Sequence, residues 1–377
     1  MADINSRRSI TAIVYLAVVG PCVFILQPGF VQGLVAYLGF DEQQAGLIAS
    51  YEMFGLAATT LLLSFVSRVV DWRKFLVACL ILCVVGNLAS LGQTDFTTLS
   101  LIRFATGLGS GGLVSLTFTM AGLTTHPDRS FGLIVVWVLT YGAFGMLLMP
   151  SAYEAIGMNG LFVFFALFCA SGLFFVTPLP HSSDIVDAAE QRADYSELLK
   201  IVSLSGVLIY NTAVGIVWAY LFLIGLEAGM DEQSVANALT VSQFLGIGGA
   251  FLPVLLGVSY GRLLPLGISM LGGAVFIYLL VGEIGALLFW TGVCGFNFLW
   301  NVATPYLLAS LADFDSRGRV VVHGVSMQFL GFAIGPLLAS RLLTAGGYDL
   351  VNTSAVVLFV IATILFLPGS LAQRHHL

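Results

Sequence analysis

Polar residues interrupt this chain at short intervals, and between the interruptions run apolar stretches of about 18 to 28 residues, the length at which a helix crosses the hydrocarbon of a bilayer. The pattern predicts about twelve such helices, over 10–38, 44–66, 75–92, 97–123, 131–153, 160–178, 197–226, 234–258, 263–281, 284–311, 320–343 and 350–371. The breaks alternate in charge. Arg7 and Arg8 precede the first span, Arg68, Arg73 and Lys74 follow the second, and Arg129 follows the fourth. Arg192 and Lys200 flank the break after the sixth, Arg262 follows the eighth, Arg317 and Arg319 the tenth, and Arg374 the last. The other breaks, such as "GFDEQQ", "GQTDF" and "GMDEQS", are mainly acidic, with Arg341 their one cation. Because Lys and Arg stay on the cytoplasmic side of short loops, an even number of spans with both termini in the cytoplasm is expected, in a cell inner (plasma) membrane.

Composition agrees: 58% of residues are hydrophobic and 9% charged, with a mean hydropathy of +0.99, where a soluble domain is about a quarter charged. This changes the meaning of "RFATGLGSGGL" at 103–113, which contains G-x-G-x-x-G. A dinucleotide loop follows a strand and opens a helix, whereas this stretch lies inside an apolar span. Paired arginines in "NSRRSI" read as a cationic flank of the first span, not as an export signal. All five cysteines fall inside spans and read as packing residues. No phosphate-binding Gly-Lys-Ser/Thr, Cys-x-x-Cys or His-Glu-x-x-His motif occurs. The expectation is therefore a chain that is not an enzyme and carries no cofactor and no metal. A net charge of −6 without a basic patch argues against nucleic acid.

The longest polar stretch, 180–200, divides the chain near its middle and reads as a cytoplasmic linker between halves at 1–179 and 201–377. Internal likeness supports a duplication: "GFDEQQAGLIASYEMF" at Gly39 returns as "GMDEQSVANALTVSQF" at Gly229, each just before an apolar span. A weaker echo links "HPDRSFG" near Asp128 to "DFDSRGR" near Asp315. On these features the chain resembles the major facilitator superfamily of secondary transporters. "LSLIRFATGLGSGG" is similar to the fourth-span pattern of that family, with its arginine at Arg103 and its glycines at Gly107, Gly109, Gly111 and Gly112. The loop pattern between spans two and three is only faintly kept in "SFVSRVVDWRK", where Asp71, Arg73 and Lys74 preserve part of the charge. "GFAIGP" (Gly331, Gly335, Pro336) resembles a fifth-span antiporter pattern, but displaced to span eleven. The resemblance implies an all-α polytopic membrane protein with 12 transmembrane helices in two pseudo-symmetric six-helix bundles. Glycines in such spans are expected to let helices approach closely.

Ionisable groups deep in a bilayer cost roughly 2.5 to 3.5 kcal/mol or more, so each needs a reason. Glu52 lies about eleven residues into span two, near the midplane, and Arg103 about six residues into span four, close enough for the two to meet. Glu52 is expected to carry a proton whose affinity Arg103 adjusts; a permanent structural pair is the alternative. At the repeat offset Glu52 falls on Ser242, so only the first half carries midplane charge. In the second half Asn297 and Asn301 share one helix face beside Trp300. These three, with Asn211, Gln243, Gln328, Gln27, Tyr51 and Tyr141, are the candidate solute contacts, although buried amides also serve as glue between helices. His323 reads as interfacial. The expected function is secondary transport of a neutral, weakly acidic or moderately apolar organic solute by alternating access, coupled to protons through Glu52 and Arg103, by a monomer whose other partner is the lipid bilayer. A uniporter on the same fold, or a membrane receptor or scaffold, is the alternative.

Overall fold

The computed structural model describes residues 3–66, 70–181, 195–256, 261–312, 314 and 319–374. Arg68, Arg192, Arg317, Asp315, and linker residues 182–194 lie outside that set. Among the described residues every regular element is a helix, and the chain divides into two compact units, Met1–Asp187 and Ala188–Leu377.

The first unit contains α1 (Arg7–Val19), α2 (Cys22–Ile25), α3 (Gln27–Leu38), α4 (Glu42–Val66), α5 (Trp72–Ala89), α6 (Phe96–Gly122) and α7 (Pro127–Ser171), the last followed by a 3-10 turn at Gly172–Phe175. The second contains α8 (Glu197–Glu227), α9 (Glu232–Leu256), α10 (Leu263–Tyr278), α11 (Ala286–Ala312) and α12 (Arg319–Arg374). Eight of these helices are long and apolar enough to cross a membrane, and α10 is a shorter apolar one. Two are folded hairpins. Inside α7 the chain turns at Gly157 (φ 62°, ψ −174°), and inside α12 at Gly346 and Gly347 (φ 64° at Gly347). Positive φ at Gly157 and Gly347 is strained for any side chain with a Cβ, so the turns fall on glycines, at the polar breaks expected between spans five and six and between eleven and twelve.

Span one departs from expectation. The apolar run 10–38 predicts one continuous helix, but the chain leaves helical geometry at Pro21 (φ −89°, ψ 21°) and Leu26 (φ −99°, ψ 15°), giving α1, α2 and α3. Pro21 and Pro28 lack the amide hydrogens that would carry the helical ladder across, and their rings clash with the preceding turn. Ser196 caps α8, so span seven begins at 197 as its apolar run predicts.

The helix starts are written in the polar breaks. Asp41 accepts from the Gln44 amide (2.7 Å) while Gln44 Oε1 accepts from the Asp41 amide (3.3 Å), a reciprocal cap. Asp231, its counterpart in the repeat, accepts from the Ser234 amide (3.0 Å). Asp71 caps α5 and Asp95 caps α6 in the same way. In the first unit α4 lies along α6, α5 contacts α6 and α7, and α1 contacts both α6 and α7; in the second, α8 lies along α12, α9 along α11, and α10 against α11 and α12.

Candidate functional site

Arg103 and Glu52 meet inside the first unit. The Arg103 side chain is 0% exposed and Glu52 is 3%. Arg103 Nη2 donates to Glu52 Oε1 at 2.5 Å and Nε donates to Oε2 at 3.1 Å, the side-on bidentate arrangement that matches a guanidinium to a carboxylate. The remaining edge is also occupied: Nη1 donates to Asn87 Oδ1 (2.9 Å) and lies 3.5 Å from Ser90 Oγ. Asn87 stands on α5 and Ser90 is its C-cap. The rings of Phe30 on α3 and Phe162 on α7 flank the guanidinium at 5.5 and 5.9 Å from its carbon, within cation–π range. Five elements of one unit thus surround a charge pair in which all three guanidinium nitrogens donate. Among the described residues Glu52 is the only buried carboxylate.

Glycines bring these helices close enough for the pair to form. A Cβ on Gly107 would strike the Glu52 carbonyl oxygen, and one on Gly111 the Leu56 carbonyl oxygen, both on α4. One on Gly109 would sit 2.7 Å from the Cys79 carbonyl, and one on Gly112 would strike the Cys79 sulfur, both on α5. The glycine motif therefore seats α6 against two helices on two faces. Gly55 on α4 returns the contact, since its Cβ would strike the Phe104 carbonyl of α6. In the second unit Gly331 and Gly335 of α12 do the same against the backbone of α8 at Leu208, Thr212 and Gly215, with Pro336 inside the helix beside them.

The second unit holds a chain of amides. Asn297 is 0% exposed; its Nδ2 donates to Ser242 Oγ on α9 (3.1 Å), and its Oδ1 accepts from Asn301 Nδ2 (2.7 Å). Both asparagines lie over glycines of α9, because a Cβ on Gly246 would come within 2.9 Å of Asn297 Oδ1 and 2.8 Å of Asn301 Nδ2. Trp300 is half-buried in a group of rings, with Trp218 at 5.6 Å, Phe296 at 5.9 Å and Phe332 at 5.9 Å between centroids.

The other candidates differ in an informative way. Gln27, Asn211 and Gln243 are each 2% exposed, and the Gln27 Oε1, Asn211 Oδ1, Gln243 Oε1 and Tyr141 Oη atoms are buried with no hydrogen-bond partner. Asn211 Nδ2 turns back to the Val207 carbonyl of its own helix (2.8 Å), and Tyr141 stacks on Phe168 at 5.3 Å. Gln328 is half-buried, and Tyr51 is 41% exposed. The structure thus brings together Glu52 with Arg103 and Asn297 with Asn301. Asn87, Ser90, Phe30, Phe162, Ser242 and Trp218 complete those clusters without having been singled out as contacts. Asn87 was visible as the lone amide of its apolar span, but depth alone does not say which helix it faces.

The faint loop pattern has an intra-unit use. Asp71 accepts from the Lys74 amide (3.2 Å) and lies 3.3 Å from His181 Nδ1, while Arg73 Nε donates to the Leu179 carbonyl. The Lys74 amide first, and then His181, hold the Asp71 carboxyl below its usual range.

A sequence model of the Major Facilitator Superfamily matches residues 12–262. Among solved structures the fold is similar to the crystal structure of the human organic anion transporter MFSD10 (TETRAN), at 16% identity and a TM-score of 0.70, covering 95% of this chain and 99% of that one. It is similar also to that of a mutant form of the nucleoside transporter NupG, at 13% identity and a TM-score of 0.71, covering 96% and 98%. No curated protein matches. At these identities the likeness to solved structures speaks for the fold.

Proposed function

Because this chain belongs to the Major Facilitator Superfamily, a family of membrane transporters, we propose that it is a secondary transporter that moves a small organic solute by alternating access, in an inner or plasma membrane with both termini in the cytoplasm. The observation that supports the solute reading is that each unit, taken by itself, holds buried polar atoms without a partner, among them Gln27 Oε1 and Tyr141 Oη in the first and Asn211 Oδ1 and Gln243 Oε1 in the second. A buried polar atom without a partner costs about 1 to 3 kcal/mol, and a solute bearing hydroxyl or N–H donors would recover that cost. No buried carboxylate is left unpaired among the described residues, so no free carboxylate there offers a cation a counter-charge. A neutral or weakly acidic solute with donor groups fits.

Two couplings follow from Glu52. Proton coupling is supported by its position as the one buried carboxylate among the described residues, with a counter-charge that stabilises the anion whenever the pair is closed. A uniport cycle is favoured by a different observation: every group around the pair belongs to one unit. A bundle that moves as a body would carry the pair closed throughout, as a brace. Enclosure gives the brace the stronger support.

The experiment is reconstitution in liposomes with a trapped pH dye, presenting sugars, aromatic acids, amino acids and nucleosides to wild type and Glu52→Gln. Solute exchange is followed in parallel with labelled solute. Solute-evoked proton movement that disappears in Glu52→Gln while exchange persists establishes coupling at Glu52. Uptake without a proton signal, unchanged by the substitution, leaves the brace and a uniporter. No uptake of any class would remove the transport reading.

A further inference from the structure

We propose that the groove where α1 begins and α7 ends binds the phosphate of an anionic membrane lipid, with the acyl chain lying along α7. The groove is open and offers about 560 Å³ between Arg7, Arg8 and Thr11 on one side and Phe174, Phe175, Thr177 and Pro178 on the other. Both arginines are exposed, and neither pairs with a carboxylate among the described residues. Two adjacent guanidinium groups offer planar, multidentate donation to phosphate oxygens. They stand in the first turn of α1, where amide hydrogens have no intrahelical acceptor and the helix dipole is positive. The Ser6 hydroxyl caps one of those amides, that of Ser9.

The far wall is apolar, and it continues. Phe174 is 83% exposed, Leu167 66% and Phe164 43%. Their spacing places them along one face of α7 and the 3-10 turn that extends it. This lane leads from the two arginines toward the bilayer interior, the direction an acyl chain takes from its headgroup. A free inorganic phosphate has no use for it. The groove walls are also tied together before any ligand arrives. Tyr15 stacks on Phe175 at 4.1 Å and its hydroxyl shares a hydrogen bond with Ser171 (2.6 Å), while Ser9 Oγ donates to the Pro178 carbonyl (2.9 Å). A ligand seated there orders little of the protein, which removes one cost of binding. The residues that line the groove include neither Glu52 nor a residue with an orphaned acceptor, so the proposal does not depend on the transport reading and requires only that the chain spans a membrane.

The test uses the full chain reconstituted in phosphatidylcholine vesicles containing a small fraction of spin-labelled phosphatidylglycerol or spin-labelled phosphatidylcholine, with the motionally restricted fraction read by electron paramagnetic resonance. Wild type should restrict the anionic lipid preferentially. Arg7→Gln/Arg8→Gln should lower that selectivity about tenfold, as two cations near a membrane surface allow. The control Lys74→Gln/Arg129→Gln removes two exposed cations elsewhere in the same unit and should leave it unchanged. Phe174→Ser, which keeps every charge, should also weaken retention. Equal losses in the two double variants would reduce the effect to general surface charge and overturn the proposal, as would restriction of both lipids alike. Full displacement by millimolar inorganic phosphate, with Phe174→Ser behaving as wild type, would assign the arginines to free phosphate and remove the lipid.

Discussion

Arg103 shows why a single residue can govern stability here. Its guanidinium reaches Glu52 with two nitrogens and Asn87 and Ser90 with the third, at 0% exposure, so each partner removed leaves a buried donor or charge. Breaking a buried pair by removing one member costs about 3 to 5 kcal/mol, whereas replacing both by apolar groups of similar volume is often neutral. We therefore expect Glu52→Ala to lower the thermal midpoint in detergent far more than Glu52→Leu/Arg103→Met does, as read by tryptophan fluorescence. Asn87→Ala should fall between, near the 1 to 3 kcal/mol of a lost buried hydrogen bond, so about 2 kcal/mol. A double variant as unstable as Glu52→Ala would show that the charges do more than balance each other. The amides divide in the same terms. Asn297 is satisfied by Ser242 and Asn301, whereas Gln243 has an acceptor with nothing to accept from. Asn297→Ala should therefore cost stability with the KM of transport unchanged, and Gln243→Ala should raise KM with stability kept. The reverse split would exchange their roles.

At the scale of helices, packing rests on which side of a glycine faces a neighbour. Gly107 meets the α4 backbone, so an added methyl must push two helices apart, whereas Gly132 on α7 and Gly267 on α10 have open space where a Cβ would stand. Overpacking costs about 1 to 3 kcal/mol. Gly107→Ala should lower the thermal midpoint measurably, and Gly132→Ala and Gly267→Ala should not; equal effects would sink the close-approach account. The helix starts carry a pH dependence. Asp95 is held below its usual range by the Thr98 amide, and Asp231 by the Ser234 hydroxyl and amide. A carboxylate whose folded pKa is depressed contributes stability that is fully present above its unfolded value, near 3.8, and is lost as pH falls through the folded one. The loss should therefore appear only below about pH 4. Asp95→Asn, which keeps a capping oxygen, should flatten its share of that acid limb in a titration of the thermal midpoint.

Over the whole molecule the duplication extends beyond the repeated segment at Gly39 and Gly229. The amide of Gly92 donates to Asn159 and that of Gly282 to Asp349, pairs that stand 67 residues apart in each unit. The hairpin glycines Gly157 and Gly347 correspond as well. The interiors have diverged: the offset that takes Glu52 to Ser242 takes Gly107 and Gly111 to Asn297 and Asn301. One unit joins its second and fourth spans by glycines on α6 and an ion pair, the other by glycines on α9 and an amide chain. Since each cluster is complete within its unit, we propose that the chain divides at the linker into two bundles that insert by themselves. Fragments 1–187 and 188–377, each expressed separately, should reach the membrane and resist protease, and degradation of either would contradict this.

The amino-acid sequence by itself determined where most helices run and how they start, because apolar length, polar breaks and Asp or Ser at a helix start act locally along the chain. Only the tertiary structure decided what each deep polar atom meets. Glu52 and Arg103 were close enough in depth to pair, but Asn87, Ser90 and the two flanking rings come from helices whose rotation no local pattern sets. The breaks of span one at Pro21 and Leu26 have the same origin. Proline announces that a helix can bend, while its neighbours in the bundle determine whether and where it does. The amides make the point most sharply. Asn297 and Gln243 are alike in sequence context, each polar within an apolar span, and differ because the amide nitrogen of one was placed opposite Ser242 on α9, while the acceptor of the other was placed opposite nothing that donates.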